Sequence, residues 1–357
     1  MKTIVLYIGS MQKGGAQRVM SVLAKHLSGQ GHHIIMINDI RPIANIPEYY
    51  LPNTITRIYL DETEKSGITR NLSRIIKLEK TLKDFNPDCV LSFEGPPNIR
   101  LLVASIGLKC KTIVSVRNDP VREYGTGIKG FLLKQVFRFA SMTIFQTEKA
   151  SFFFPYSVRT RSVVIPNPID GKFFQESWTG KGRDIIAVGR LQPQKNYPLL
   201  IEAFAKIAPR FPDTDLVICG DGVLRRELEA LVEQYGIKDR VHFRGIVEDV
   251  RNELKRAGVF VMSSDYEGMP NALMEAMAVG VPIISTDCPC GGPSELLGNG
   301  KYGVLVNCGN VLDLACSMEK LLASDTDRQY YHNMSLQRSK KYQTDIIMEK
   351  WLNILEN

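Results

Sequence analysis

The sequence predicts an α/β protein with two Rossmann-like domains that face each other across a cleft. Short apolar segments alternate with helical segments along the chain, and strands buried on both faces are typical of parallel sheets. The chain has 357 residues, more than one hydrophobic core usually serves. The alternation breaks once, at residues 165–170, where two prolines restrict the backbone. We therefore expect domains over residues 1–168 and 171–340.

Short apolar segments in the first half predict the strands of the N-terminal domain. These segments are residues 3–8, 33–37, 89–92, 112–116, 142–145 and 162–165. Longer segments between them have the composition and length of helices. The predicted helices are residues 16–29, 71–85, 98–106 and 128–140.

The second half repeats this alternation. Its predicted strands are residues 184–188, 215–219, 241–243, 259–262, 282–285 and 304–306. Its predicted helices are residues 197–208, 223–235, 250–255, 271–279 and 312–323, and the tail from residue 327 is also helical. In such folds ligands bind at the carboxyl ends of the parallel strands, so the loops that follow the strands are where we look for a site.

Composition indicates an ordinary enzyme of a reducing compartment. The seven cysteines include Cys288 and Cys290, a C-x-C pair without a nearby histidine, so we expect free thiols rather than a metal site. No apolar run approaches the roughly 20 residues of a membrane span, and the apolar start at residues 3–9 is too short for a signal peptide. We expect a cytoplasmic protein.

Positive charge is concentrated in the first half of the chain. Residues 1–170 contain 23 Lys/Arg and 13 Asp/Glu, whereas the whole chain has a net charge of +7. A basic domain favours an anionic partner such as a membrane surface, a pyrophosphate or a nucleic acid. Solvated, lysine-rich helix faces would give the same excess, and the sequence leaves both interpretations open.

Two glutamates, Glu267 and Glu275, enclose the predicted start of a helix. Pro270 and Asn271 suit the first positions of that helix, and the residues that follow are strong helix formers. Glu267 then lies just before a helix N-terminus, which attracts anions such as phosphate. Glu275 lies inside an apolar helix, although an exposed helix glutamate is the simpler alternative.

A second motif, Gly189-Arg190 followed by Lys195, comes after a predicted strand. Two cations on one loop can neutralise the oxygens of a departing diphosphate. A pair of surface charges, with Asn196 as a helix N-cap, is the structural alternative. Near the N-terminus, Gly14-Gly15 follows the first strand, and glycines let backbone amides approach an anion closely. The spacing is not that of a dinucleotide-binding G-x-G-x-x-G, which disfavours a dehydrogenase.

Together these motifs resemble the donor site of the retaining glycosyltransferases of family 4, glycosyl transferases group 1, of the type that makes bacterial surface polysaccharides. The resemblance covers nearly the whole chain and is densest over residues 189–297. It implies the GT-B fold, with an acceptor-binding first domain, a donor-binding second domain, and a last helix, residues 345–357, that joins the first domain.

The resemblance also implies roles for individual residues. Arg190 and Lys195 stabilise the leaving β-phosphate, Glu267 lies by the donor sugar as a third catalytic residue, and Glu275 accepts hydrogen bonds from the ribose. The other residues that it implies at the nucleotide sugar are Gly14, Gly15, Gly189, Ile246, Val247, Gly268, Met269, Pro270 and Asn271. Ile246 and Val247 would contact the base through their main chain, which favours uracil.

The first domain departs from the pattern of many relatives, which have a histidine close to the donor sugar. No histidine lies between His33 and His242 in this chain. Arg117 and Asn118 stand at that place, and Glu94 follows another predicted strand; we expect these three to contact the acceptor or the sugar. Because Asn118 precedes Asp-Pro, an ordinary turn is the alternative.

Residues 128–139 mix aromatic, aliphatic and cationic side chains. One interpretation is a helix on an anionic membrane surface, which suits a lipid-linked acceptor; the other is a core-packed helix with a basic outer face. The resemblance implies transfer from a nucleotide sugar, UDP-linked by family tendency, to a hydroxyl of a glycan acceptor, without metal or other cofactor and without a nucleic-acid partner. A sugar-nucleotide epimerase of the same fold and a catalytically inactive sugar-binding homologue remain the alternatives.

Overall fold

The computed structural model describes residues 1–44, 46–61 and 67–356. The chain divides into two compact units, of which unit 1 comprises Met1–Asn167 and Asp345–Asn357, and unit 2 comprises Pro168–Thr344. Each unit is built on one parallel sheet, with strand orders β3-β2-β1-β4-β5-β6-β7 in unit 1 and β10-β9-β8-β11-β12-β13 in unit 2. The prediction of two Rossmann-like domains is confirmed.

The unit 1 sheet contains all six predicted strands and one that was missed. Its strands are β1 (Thr3–Ile8), β2 (His33–Asn38), β3 (Thr56–Tyr59), β4 (Cys89–Phe93), β5 (Lys111–Ser115), β6 (Met142–Phe145) and β7 (Ser162–Val164). Interior strands such as β1 and β4 are almost wholly buried, which explains their apolar sequences. The missed strand, β3, is a half-exposed edge strand, and its mixed composition hid it.

The unit 1 helices cover the four predicted segments, with changed ends, and add shorter ones. They are α1 (Gly15–Gly29), α2 (Gly67–Phe85), α3 (Gly95–Ala104), α4 (Pro120–Tyr124), α5 (Gly127–Val136), α6 (Glu148–Ser151), α7 (Tyr156–Arg159) and the C-terminal α15 (Thr344–Glu356). Helix α15 packs into the unit 1 core through Trp351, which is fully buried with its ring 5.6 Å from that of Phe93.

The segment 128–139 is not one continuous helix, since α5 ends at Val136 and a short 3-10 helix covers Phe137–Phe139. Its apolar side chains are not core-packed either: Ile128, Phe131 and Leu132 are 82%, 56% and 59% exposed. The core-packed interpretation is therefore wrong for these three. Within the described ranges, no helix combines the length and apolar character needed to cross a membrane.

Unit 2 follows the predicted alternation closely. Its strands are β8 (Ile185–Val188), β9 (Leu216–Cys219), β10 (Val241–Gly245), β11 (Val259–Met262), β12 (Ile283–Thr286) and β13 (Val304–Val306). Its helices are α8 (Tyr197–Ile207), α9 (Arg225–Gln234), α10 (Arg251–Arg256), α11 (Asn271–Val279), α12 (Gly292–Leu296), α13 (Val311–Ala323) and α14 (Asp325–Ser339).

Successive strand residues of unit 2 enter two different apolar clusters. Ile185 packs in the cluster with α8 and α13, whereas its neighbour Ile186 packs with α11. This alternation is the period-two pattern of a strand buried on both faces. Because β8, β11 and β12 are neighbours in the sheet, the loops that follow them lie together at its carboxyl edge.

Candidate functional site

Two loops of unit 2 are joined by a set of hydrogen bonds at the carboxyl edge of the sheet. The Asp265 amide donates to the Gln194 carbonyl at 2.9 Å, and Gln194 Nε2 donates to the Tyr266 carbonyl at 2.9 Å. Asn196 Nδ2 donates to Asp265 Oδ1 at 2.7 Å, while Asn196 Oδ1 caps helix α8 by accepting from Leu199. The loop after β8 is thus fixed to the loop after β11.

These bonds bring Lys195 and Glu267 together. Lys195 Nζ lies 2.6 Å from Glu267 Oε1, and Ser264 Oγ donates to the same oxygen at 2.9 Å. Glu267 is 7% exposed, so the ion pair is largely shielded from solvent. A buried carboxylate that two donors hold is fixed in position, which suits a group that must orient a bound ligand.

Gly189 and Arg190 begin the loop that carries Lys195. A Cβ atom at Gly189 would lie 3.1 Å from Lys195 Cε and 3.2 Å from the Tyr197 hydroxyl, which donates to the Gly189 carbonyl. A larger residue there would therefore push Lys195 away from its position. The Arg190 side chain is exposed, so its charge is available to an anionic ligand.

Helix α11 begins where the two-glutamate motif predicts, with Pro270 at the N-cap and Asn271 as its first residue. Glu275 is 7% exposed, which excludes the exposed helix glutamate as an alternative. Gly268, Met269 and Pro270 are also buried. The carbonyl of Gly268 lies so close to Gly292 that a Cβ atom at Gly292 would be 1.7 Å from it.

A hydroxyl group at the end of β12 and a thiol in the loop that follows also hold the Glu267 loop, and sequence reasoning missed these contacts. Thr286 Oγ1 donates to the Ser264 carbonyl at 2.5 Å, and Cys290 Sγ donates to the Glu267 carbonyl at 2.5 Å. The signal available in the sequence was position, since Thr286 ends the buried strand β12 and Cys290 lies in the loop that follows it.

Ile246 and Val247 follow β10, which is the edge strand of the unit 2 sheet and is separated from β8 by β9. Gly220 donates its amide to the Gly245 carbonyl at 2.7 Å, which joins the ends of β9 and β10. Gly245 has a φ of 67°, a conformation that favours glycine. Ile246 is 82% exposed, and Val247 is partly buried against the cluster that contains α11.

The predicted residues of unit 1 lie at the carboxyl edge of its own sheet. Gly14 is the N-cap of α1, which begins at Gly15. Gln17, in the first turn of α1, donates to Glu94 Oε1 at 2.8 Å. Glu94 has a φ of 74°, unusual for a residue with a side chain, and such conformations cluster at functional sites.

Arg117 and Asn118 make contacts within unit 1. Arg117 is buried, donates to Ser115 and Asn167, and lies 4.5 Å from the Phe93 ring centroid. Burial lowers the pKa of its guanidinium to about 9, and nearby Glu94 opposes that shift. Asn118 Oδ1 accepts from the Asp119 amide at 2.9 Å in the turn before α4. The turn expected as an alternative is present, and the sugar or acceptor role of both residues stays a prediction.

Glu123 is a titratable group that sequence reasoning missed. Burial raises the pKa of its carboxyl to about 7, opposed by the hydrogen bond that Oε1 accepts from the Gly95 amide at 2.7 Å. Glu94 raises it further through like charge. No sequence signal identifies this residue, because its burial depends on the contact between α4 and α3. As for metals, the described residues contain no group of three or more His, Cys, Asp or Glu side chains placed to hold an ion.

Unit 2 matches a known family over almost its whole length. The profile described as Glycosyl transferases group 1 matches residues 169–338. The matched region, unit 2, is a group 1 glycosyltransferase domain, and the protein is a glycosyltransferase. An alpha-1,4-N-acetyl-D-galactosaminyltransferase of Campylobacter jejuni, named for a diNAcBac-PP-undecaprenol acceptor, is 27% identical over 369 residues, covering 99% of this chain and 98% of its own. The amylovoran biosynthesis glycosyltransferase AmsD of Erwinia amylovora is 23% identical over 378 residues, covering 99% of both chains.

Solved structures agree on the fold of this glycosyltransferase. HepE of Anabaena, solved in complex with UDP, superposes with a TM-score of 0.82, at 17% identity and with full coverage of both chains. At that identity the likeness concerns the fold alone. It supports assigning the GT-B fold to the two Rossmann-like units.

Proposed function

We propose that this glycosyltransferase moves a sugar from a UDP-sugar to a hydroxyl of a lipid-pyrophosphate-linked glycan, with retention of anomeric configuration, in bacterial surface polysaccharide synthesis. One observation carries the proposal: Lys195 and Glu267, from loops 72 residues apart in sequence, pair at 2.6 Å beside the start of α11. This arrangement offers a cation to a phosphate and a carboxylate to a sugar at one sheet edge.

In the proposed mechanism, charge on the protein stabilises the departing diphosphate. Arg190 and Lys195 supply two cations, and the amides at the N-terminus of α11 supply partial positive charge. With these groups in place, departure needs no metal ion, and the leaving phosphate takes the acceptor proton on the same face of the sugar. Glu267 orients the donor sugar and Glu275 accepts hydrogen bonds from the ribose.

Two observations support the proposed identity of the donor. HepE, which shares the fold, has been solved with UDP and with UDP-glucose. In this chain, the turn with the exposed Ile246 suits base recognition through backbone groups, because uracil offers donors and acceptors along one edge. A UDP-hexose or UDP-N-acetylhexosamine is the donor class that we propose.

The acceptor class follows from relatives and from charge. The Campylobacter jejuni relative is named for an undecaprenol-diphosphate-linked acceptor, and residues 1–170 hold the positive excess of this chain. We propose that unit 1 binds the acceptor, with Arg117, Asn118 and Glu94 as its candidate contacts. We propose that the exposed Ile128, Phe131 and Leu132, together with Lys129, Lys134 and Arg138, make peripheral contact with the anionic cytoplasmic membrane surface.

The decisive experiment incubates the protein with a panel of UDP-sugars and an undecaprenyl-diphosphate glycan, followed by mass spectrometry of the glycan. A mass increase of one sugar supports transfer, and NMR of the product linkage reads the anomeric configuration. Conversion of a UDP-sugar into its epimer without an acceptor would favour the epimerase alternative. Donor binding without any turnover across the panel would favour the inactive homologue.

A further inference from the structure

Cys288 and Cys308 occupy equivalent positions beyond two adjacent strands of unit 2. In the parallel pairing of β12 with β13, Thr286 is opposite Val306. Cys288 lies two residues after Thr286, and Cys308 lies two residues after Val306. Neighbouring strands lie about 4.8 Å apart, within the range of Cα separations that a disulfide bridges. The main chain continues this alignment, because the Asp287 amide donates to the Val306 carbonyl at 2.8 Å.

Both thiols contact the same backbone oxygen. Cys288 Sγ donates to the Ser264 carbonyl at 3.3 Å, and Cys308 Sγ lies 3.7 Å from that oxygen. Cys308 also contacts the carbonyls of Asp265 and Asp287, at 3.8 and 3.5 Å. The two sulfurs thus converge on the loop whose Ser264 hydroxyl holds Glu267.

The two cysteines differ in accessibility. Cys308 is exposed and Cys288 is buried, at 1% exposure. The interaction between the two thiols lowers the pKa of the Cys308 thiol and raises that of Cys288. An exposed, more acidic thiol beside a buried partner is the arrangement that favours attack by the first and resolution by the second.

We propose that Cys288 and Cys308 form a thiol modification site that reacts with a disulfide oxidant such as oxidised glutathione. Cys308 thiolate attacks one glutathione sulfur and releases the first glutathione thiol. Cys288 then loses its proton and attacks the Cys308 sulfur of the mixed disulfide, which releases the second. The two protein thiols become one disulfide, and the glutathione disulfide is reduced to two thiols.

The disulfide has no S–H group, so the Ser264 carbonyl loses its Cys288 donor and the Glu267 loop loses support. The effect on nucleotide binding rests on the proposed function, whereas formation of the bond does not. We expect oxidation to weaken UDP binding roughly tenfold, the scale of one lost hydrogen bond.

The test treats the full-length protein with oxidised glutathione and reads two quantities separately. Peptide mass spectrometry is expected to find a Cys288–Cys308 link that dithiothreitol reverses, and calorimetry is expected to find weaker UDP binding in the oxidised protein. Cys308→Ser should lose both responses. Cys316→Ser, which removes another exposed thiol, should keep both.

Failure of each part is distinguishable. Stable glutathione adducts without the link, or a link between other cysteines, overturn the modification site. A Cys288–Cys308 link with unchanged UDP affinity overturns its effect on the donor site. If the reduced protein does not bind UDP at all, the proposed function fails, and the linked peptide still decides the chemistry of the cysteine pair.

Discussion

Glu267 Oε1 accepts from both Lys195 Nζ and Ser264 Oγ, at 2.6 and 2.9 Å, and is shielded from solvent. Lys195 comes from the loop after β8 and Glu267 from the loop after β11, and these strands pair directly in the sheet. The contact therefore depends on strand order and could not be read from either motif alone. It fixes a cation and a carboxylate where we place the phosphates and the sugar.

Replacing Lys195 with Ala should reduce turnover by about a hundredfold or more, because a preorganised charge on the leaving group is lost. The measurement is initial-rate kinetics with the preferred UDP-sugar, with the circular dichroism spectrum as a check on folding. Lys206→Ala, on the surface of α8 beside Glu202, removes the same charge away from the site and should leave turnover unchanged. Near-normal turnover of Lys195→Ala would remove Lys195 from the mechanism.

Glu275→Gln should weaken UDP binding about tenfold, because a hydrogen bond to a charged acceptor becomes one to a neutral amide. Isothermal titration calorimetry with UDP measures this directly. Glu229→Gln, on α9 beside Arg225, is the control and should bind UDP as the parent does. Equal affinities of Glu275→Gln and the parent would exclude the ribose contact.

Glu123 predicts a pH dependence of stability. Because the folded pKa, about 7, exceeds the ordinary value of 4.5, the unfolded carboxyl ionises first as pH rises. The free energy of unfolding therefore falls between about pH 4.5 and 7 through this group, and levels off above. In Glu123→Gln this loss is absent. The free energy of unfolding of the variant minus that of the parent should therefore rise by roughly 2 kcal/mol between pH 5 and pH 8.

Chemical denaturation at pH 5 and pH 8 measures that difference. Glu79→Gln, an exposed-helix carboxylate that pairs with Lys83, is the control and should show a small, nearly constant difference. A Glu123→Gln difference that does not change with pH would contradict the buried, neutral carboxyl.

Trp351→Ala should destabilise unit 1 by about 3–5 kcal/mol, the usual result of deleting a buried aromatic side chain. Trp351 is fully buried against Phe93, and Trp178 in unit 2 is the other tryptophan of the chain. In the variant, tryptophan fluorescence therefore reports unit 2 alone, while circular dichroism reports both units. An unchanged circular dichroism transition would mean that α15 contributes little to unit 1.

Membrane contact through residues 128–139 is tested by charge reversal. Changing Lys129, Lys134 and Arg138 to Glu should reduce co-sedimentation with anionic vesicles at least tenfold, since each basic residue near such a surface contributes about 1 kcal/mol. The control changes three exposed cations of unit 2, Lys181, Arg226 and Lys301, to Glu and alters the net charge equally. The proposal fails if the two triple variants sediment alike.

Much of the fold could be predicted because strands buried on both faces are continuous apolar runs. β8, β11 and α11 were predicted within a residue of their observed ends. The half-exposed edge strand β3 was missed because its residues do not form such a run. The apolar residues of α5 suggested burial, yet Ile128 is 82% exposed, since hydrophobicity alone does not say which face has a partner.

Part of the candidate site could also be predicted from the sequence. Arg190, Lys195, Glu267 and Glu275 stand in local motifs, so their residue types and spacing were sufficient to select them. The contacts of Thr286, Cys290 and Glu123 join segments far apart in sequence. The folded arrangement of the loops is needed to show that these residues make the contacts.

We propose that unit 2 holds a nucleotide-sugar donor site that works without a metal ion. Calorimetric titration of UDP into the parent protein and into Glu275→Gln, each in excess EDTA, tests it most directly. We predict saturable binding to the parent in EDTA, weakened about tenfold in the variant. No binding of UDP to the parent in EDTA, or binding that returns only when Mg²⁺ is added, would contradict the claim.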